Sequence, residues 1–408
     1  MSWFSEIELG PPVEVFALIK AYNEDNFEQK VNLSVGAYRT AEGKPWLLPV
    51  VKEASIKLVN DATLNKEYLP ILGLESFSNA ATNLLLGVDS PAIIEKRAFG
   101  VHSLSGTGSL RVGAEFLARV LGKKIFYYSK PTWENHILLF KNAGFEEGRE
   151  YRYWDNNTRS LDFDGMIQDL RNAPTGSVII LHAVAHNPTG IDPTVEQWDQ
   201  IANVVKERRL FPFFDCAYQG FASGDVAKDA YSVRRFASLG FEFFCAQSFA
   251  KNFGLYNERV GNLTVVVNNP SVIPAIKSHL TIIVRGMYSN PPAHGARIVE
   301  AVLRDPVMYE KWQDHIKTMS SRIIEMRKEL RRSLEHLGTP GEWNHLTEHI
   351  GMFSYTGLTE SQVERMIRNH HVYMLRSGRI SMAGLNPSNV YYVAKSIHET
   401  ILAVPTKV

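Results

Sequence analysis

The sequence predicts an α/β protein with a large domain on a mainly parallel sheet and a smaller α+β domain beside it. Three observations carry this. Between Phe99 and Val267, short β-branched or aromatic runs alternate with amphipathic segments. A single long apolar stripe at helical spacing, with a start and a stop signal, follows that region. Beyond it come two more strand-like runs and a last amphipathic segment.

Taken in order, the stretch around Gly10 to Pro12 reads as an arm, because glycine and consecutive prolines start no core element. The strand runs are GVHSL, KIFYY, SVIILHA, LFPFFD, FFCAQS and GNLTVVV. Leu110, Ala114, Leu117 and Leu121 recur at helical spacing, as do residues from Phe163 to Leu170 and from Trp198 to Val205. Asp305-Pro306 supplies an N-cap and a proline for the first helical position, and Gly338 with Pro340 supplies the stop. Trp312, Ile316, Met319, Ile323, Met326, Leu330, Leu334 and Leu337 then line one face of a helix long enough to pass from one domain into the next. Runs at Met352 to Tyr355 and Val372 to Leu375 and a C-terminal helix complete the smaller domain. There is no internal repeat and no low-complexity tract.

With 44 Lys+Arg against 43 Asp+Glu in 408 residues, the chain has no global field, so neither nucleic acid nor a membrane surface is the expected partner. No apolar stretch approaches the roughly 20 residues of a membrane helix. Cys216 and Cys245, the two cysteines, sit in apolar runs and are expected as buried thiols of a reducing compartment. The first residues, MSWFSEIELGPPVEVF, lack a basic segment with an apolar one behind it, so a cytoplasmic location is expected. No metal ion is expected.

Chemistry concentrates in four places. SLSGTGSLRVG, Ser103 to Gly113, puts a small-residue turn between a strand and a helix, where free N–H groups and the helix dipole suit a phosphate. Alone, it would serve equally as a tight turn, since it fits neither G-x-G-x-x-G nor a P-loop. In HNPTG, Asn187 offers an amide at a strand's carboxyl edge, where ligands of open α/β sheets bind. Asp215 ends the run LFPFF, and a carboxylate among apolar side chains needs a cation; a protonated pyridine nitrogen is one such partner, and a helix N-cap is the plainer alternative. Tyr218 follows three residues on. Lys251, in FFCAQSFAKNFGLYNERVGNL, follows another apolar strand, where burial and nearby cations would depress its pKa as a Schiff-base amine requires. Ser248 and Arg259 flank it as phosphate donors. Arg285 and Arg379, both in Gly/Pro/Ser-rich settings, are a pair suited to a substrate with two carboxylates.

Together, these residues resemble the aspartate aminotransferase family of fold-type I pyridoxal-phosphate enzymes, in its animal cytosolic branch. The resemblance runs from VNLSVGAYRT and EYLPILGL through KPTWENH, HAVAHNPTGIDPT, FFDCAYQGFASG, SFAKNFGLYNERVGNL and YSNPPAHGARIV to SGRIS. It implies a large pyridoxal-phosphate domain (residues 41–318) with a seven-stranded, mainly parallel sheet. It also implies a small domain from residues 13–40 and 319–408, and an arm over residues 1–12. The implied activity is transfer of the amino group of L-aspartate to 2-oxoglutarate, giving oxaloacetate and L-glutamate.

By the same resemblance, Lys251 is the Schiff-base and proton-shuttling lysine, and Asp215 pairs with the pyridine nitrogen. Tyr218 and Asn187 bond the ring oxygen, and Trp133 stacks on the ring. Ser105, Gly106, Thr107, Ser248 and Arg259 hold the phosphate, with Tyr68 of a neighbouring subunit. Arg379 clamps the α-carboxylate beside Gly36, Trp133 and Asn187, and Arg285 crosses the interface to the distal carboxylate. A homodimer with shared sites follows. Ser34, Ala250, Gly286-Met287-Tyr288 and Arg376 depart from the cytosolic pattern, and the stretch before KIFYY is shorter than usual. Residue types leave two alternatives open: other pyridoxal chemistry on aspartate, namely racemisation or β-decarboxylation, or a weakly active or inactive paralogue acting as a binding or dimerisation partner.

Overall fold

The computed structural model describes residues 2–405. Seven strands form one sheet: β1 (Ala98–Leu104), β2 (Ile125–Lys130), β3 (Glu147–Arg152), β4 (Val178–His182), β5 (Phe211–Cys216), β6 (Phe243–Ser248) and β7 (Val260–Val266). Their order is β1-β7-β6-β5-β4-β2-β3, and β7 alone runs against its neighbours. Every residue of β4, β6 and β7 is buried, because helices cover both faces; this is why these runs read as continuously apolar.

Six of the seven strands match runs read from the sequence. The seventh, β3, has the sequence EGREYR and pairs only with β2. At a sheet edge its side chains are largely solvated, so it carries no apolar run to find. The helix that follows β1 spans Ser105–Arg119, and Leu121 lies beyond its end, 50% exposed rather than on its buried face.

The long helix spans Pro306–His336, and the Asp305 side chain accepts from the backbone N–H of Val307 and Met308. Its stripe from Trp312 to Leu334 is buried, with Leu337 half-buried just past its end. Elsewhere, Val31–Asn32 pairs in parallel with Val372–Tyr373, so early and late segments of the chain share one small sheet. Phe353–Tyr355 pairs antiparallel with Arg379–Ser381. The helix Val390–Ala403 packs on the long helix. Cys216 and Cys245 are free and buried. Among the described residues no helix is long and apolar enough to cross a membrane.

Candidate active site

Because β1, β2, β4, β5 and β6 all point the same way, their carboxyl ends open at one edge of the sheet. A cleft of about 490 Å³ lies there. Lys251, three residues past β6, sits in it with Nζ 5.1 Å from the centre of the Tyr218 ring. Burial pushes its amine down to about 8, against the pull of Asp215 and with the repulsion of Arg259 and Arg379.

Asp215 lies within β5, so it caps no helix. Burial alone would raise its carboxyl, but the hydrogen bond and charge of His136 hold it below its ordinary value, helped by His182 and Lys251. His136 Nε2 is 2.8 Å from Asp215 Oδ2, and its Nδ1 is 2.8 Å from Thr132 Oγ1. Behind it, His182 and His186 stack at 4.0 Å, and His186 stacks on Tyr153 at 3.9 Å. Burial keeps His182, at about 3, and His186 neutral. His136 thus anchors one oxygen of the Asp215 carboxylate, and Asp215 lines the cleft.

A cradle of small groups lies at the amino end of the helix Ser105–Arg119. Ser105 is left-handed at φ +64°, and its Oγ lies 3.0 Å from Ser248 Oγ. A Cβ at Gly106 would stand 3.1 Å from Ser248 Cβ, and one at Gly261 would stand 2.3 Å from the Ser105 carbonyl carbon. The turn therefore leaves room for a compact anion and none for side chains. Arg259 reaches the same cleft, and burial lowers its guanidinium. A dianionic phosphate fits this set: a helix terminus, two hydroxyls and an arginine.

Arg379, 6% exposed, donates from Nη2 to Ser34 O (2.7 Å) and from Nη1 to Asn187 Oδ1 (3.4 Å), and lies 4.1 Å from the centre of the Phe353 ring. Burial pushes it down to about 10, and its Nε has no partner. A buried guanidinium held by neutral acceptors, with one donor free, is prepared for an incoming carboxylate. Ser34, which departs from the cytosolic pattern, donates its hydroxyl to Asn32 Oδ1 at 2.7 Å, a bond that glycine could not make. A Cβ at Gly36 would sit 2.9 Å from Phe353 Cζ. The Arg376 amide donates to Glu14 Oε1 at 2.7 Å, a bond that proline would abolish.

The structure thus brings Gly36, Ser105, Gly106, Thr107, Trp133, Asn187, Asp215, Tyr218, Ser248, Lys251, Arg259 and Arg379 to one cleft. Tyr68 and Arg285 do not line it. Tyr68, 84% exposed, borders a separate concavity of about 300 Å³ with Asn290 and Arg297, and Arg285 is exposed on the helix Ile273–Tyr288. Lining residues that the sequence reading did not single out include Val15, Phe16, Val35, Tyr256, Phe353 and His182. Tyr256 stands in the same motif as Lys251, Val35 beside Gly36 and His182 in the motif of Asn187, signals that were available to be read; Val15, Phe16 and Phe353 arrive from distant segments. Three larger concavities, of about 540, 700 and 880 Å³, lack this convergence of lysine, arginines and phosphate-sized cradle.

Residues 28–397 match the family model described as aminotransferase class I and II. The chain is 56% identical over 408 residues, covering 100% of both chains, to a protein of Caenorhabditis elegans named cytoplasmic aspartate aminotransferase. Among solved structures, the cytoplasmic aspartate aminotransferase of Saccharomyces cerevisiae superposes with a TM-score of 0.96 at 46% identity, covering 98% of this chain and 99% of that one. The aromatic-amino-acid aminotransferase of Burkholderia pseudomallei, covalently bound to pyridoxal phosphate, superposes with a TM-score of 0.95 at 41% identity, covering 98% and 100%. With a family model matched over most of the chain and relatives this similar along its whole length, this chain belongs to the class I and II aminotransferases.

Proposed function

We propose that this chain is an aspartate aminotransferase that holds pyridoxal phosphate on Lys251 and exchanges an amino group between L-aspartate and 2-oxoglutarate, giving oxaloacetate and L-glutamate. The observation that carries this reading is one cleft holding a depressed lysine, a carboxylate kept ionised by His136, a phosphate-sized cradle and a buried arginine with a free donor. The named relatives support the substrate pair.

When bound, the cofactor supplies a cationic ring that stabilises negative charge developing at the substrate α-carbon, and a carbon that carries the amino group between half-reactions. The chain's residues do the rest. Ser105, Gly106, Thr107, Ser248 and Arg259 anchor the phosphate, and Asp215 keeps the ring nitrogen protonated. Tyr218 and Asn187 serve the ring oxygen, and Trp133 covers a face of the ring. Arg379 orients the α-carboxylate beside Gly36, which fixes the Cα–H bond relative to Lys251. With an amine near 8, Lys251 can take and return that proton near neutral pH. Val15, Phe16 and Val35 supply apolar surface that excludes water from the mouth.

We assign the distal carboxylate to Arg285, and an added phosphate contact to Tyr68, from the second subunit of a homodimer. What supports this is that both are exposed and outside their own chain's cleft, and that Trp3, Phe4, Ile7 and Leu9 of the arm are bare. The division into arm, small domain (13–40 and 319–408) and large domain (41–318) is supported by the pairing of Val31–Asn32 with Val372–Tyr373. A cytoplasmic location is supported by the names of the curated relatives.

The test is to incubate the purified protein with L-aspartate and 2-oxoglutarate and to measure oxaloacetate, glutamate, D-aspartate and alanine together. Equal oxaloacetate and glutamate, lost in Lys251→Ala, is the expected result. D-aspartate or alanine in their place defeats the proposal.

A further inference from the structure

Arg327 stands in the second half of the helix Pro306–His336 and is 2% exposed. Burial pushes its guanidinium down to about 9, and no carboxylate among the described residues pairs with it. A cation so placed is tolerated only if neutral acceptors satisfy it. Its Nε has no partner, but its two terminal nitrogens find three acceptors: Nη1 donates to Leu346 O at 3.0 Å, and Nη2 to Gly351 O at 2.9 Å and to Phe353 O. All three carbonyls belong to one strap, residues 346–353.

That strap borders the α-carboxylate site at Arg379, at Gly36 and at the turn that carries Asn187. The Phe353 ring underlies the Arg379 guanidinium at 4.1 Å and blocks any side chain at Gly36. Ile350 N donates to Gly190 O at 2.6 Å, and Gly351 lies so close to Ala185 that a Cβ would approach its Cβ to 2.3 Å; both contacts fix the turn that presents Asn187. Met382 N donates to Met352 O at 2.8 Å, three residues past Arg379.

The geometry points to Arg327 as a positioning residue for the carboxylate clamp, acting through Phe353 on Arg379 without touching the substrate. It rests on the reading of Arg379 as the substrate's α-carboxylate site. The planar fork matters, because a lysine offers its donors from one atom and cannot bridge carbonyls spread over two nitrogens.

Succinate, a dicarboxylate with no amino group, is the probe. Its binding to the pyridoxal-phosphate-loaded dimer is measured by calorimetry, beside steady-state kinetics with L-aspartate. Arg327→Met is expected to weaken succinate and raise the aspartate KM by about tenfold, as misplacement of a clamp by a fraction of an ångström would. In the same variant kcat changes by less than about threefold, and the spectral titration of the lysine-bound cofactor keeps its midpoint. Arg327→Lys recovers part of the affinity.

Unchanged succinate affinity, or a fall in kcat with no change in KM, overturns the proposal. Phe353→Leu keeps the test available if Arg327→Met does not fold. Combined with Arg327→Lys, it is expected to weaken succinate by less than the product of the two single effects, because both act through one contact. Full multiplication overturns the proposal. If the wild-type protein binds succinate but turns over no aspartate, the aminotransferase reading fails while the succinate measurements still decide the role of Arg327.

Discussion

A lysine held in a closed cleft loses the hydration its ammonium needs, and Lys251 shows the consequence in an amine pushed down to about 8. Above that value the unfolded chain binds more protons at this position than the folded one, so the Lys251 contribution to stability rises with pH from about 8 to about 10.5. Below about 8 both states are protonated, and the folded state carries the whole cost of the buried charge. In cofactor-free protein, amine-selective labelling of Lys251 followed against pH should therefore show a midpoint near 8. Asp215→Asn should move that midpoint lower, because the Asp215 charge is what raises it. A midpoint near the ordinary 10.5 in both proteins would contradict the desolvated cleft. The need of Asp215 for a cation was legible in LFPFFD. That His136 meets part of this need was not, since the two residues come together only when β5 and the helix Asn135–Ala143 pack.

Among the elements, the turn between β1 and its helix decides whether the cofactor stays. Gly106 and Gly261 are both close-packed, but against different neighbours. A methyl at Gly106 meets a serine side chain at 3.1 Å, which can shift by rotation. One at Gly261 meets the Ser105 backbone at 2.3 Å, within the left-handed residue that aims the turn. Gly106→Ala is expected to weaken pyridoxal phosphate by about tenfold, a cost of roughly 1–2 kcal/mol in the range of mild overpacking. Gly261→Ala is expected to lose the cofactor on dialysis while retaining its helical circular dichroism. Equal retention in the two variants would remove the cradle from Ser105. Elements were legible wherever burial imposed a period: the capped helix Pro306–His336 and the buried strands could be read directly. The edge strand β3 could not, because one paired side and mostly solvated side chains leave no apolar signature. The strap 346–353 was equally hidden, as its order comes from Arg327 and from close glycine contacts rather than from a repeating pattern.

For the whole molecule, the absence of Tyr68 and Arg285 from their own cleft becomes a test of shared sites. A residue that acts in the partner's site can be separated genetically from one that acts in its own. Lys251→Ala disables the site of the chain that carries it. Arg285→Ala, if it serves the neighbour, disables dicarboxylate turnover in the other chain's site and leaves turnover of neutral amino acids comparatively intact. Each variant alone forms homodimers with two impaired sites. Unfolded together and refolded at equal concentration, half of the dimers are mixed, and in each mixed dimer one site pairs an intact Lys251 with the intact Arg285 of the other chain. Activity with L-aspartate and 2-oxoglutarate should then return to roughly a quarter of that of the same amount of wild-type protein. The gain should appear only after subunits exchange and should be absent when the two variants are mixed without unfolding. If Arg285 instead worked within its own chain, the mixed dimer would hold two impaired sites, as each parent does, and no activity would return. The comparison reads the assembly through chemistry, so it separates a dimer that merely forms from one whose interface completes the site.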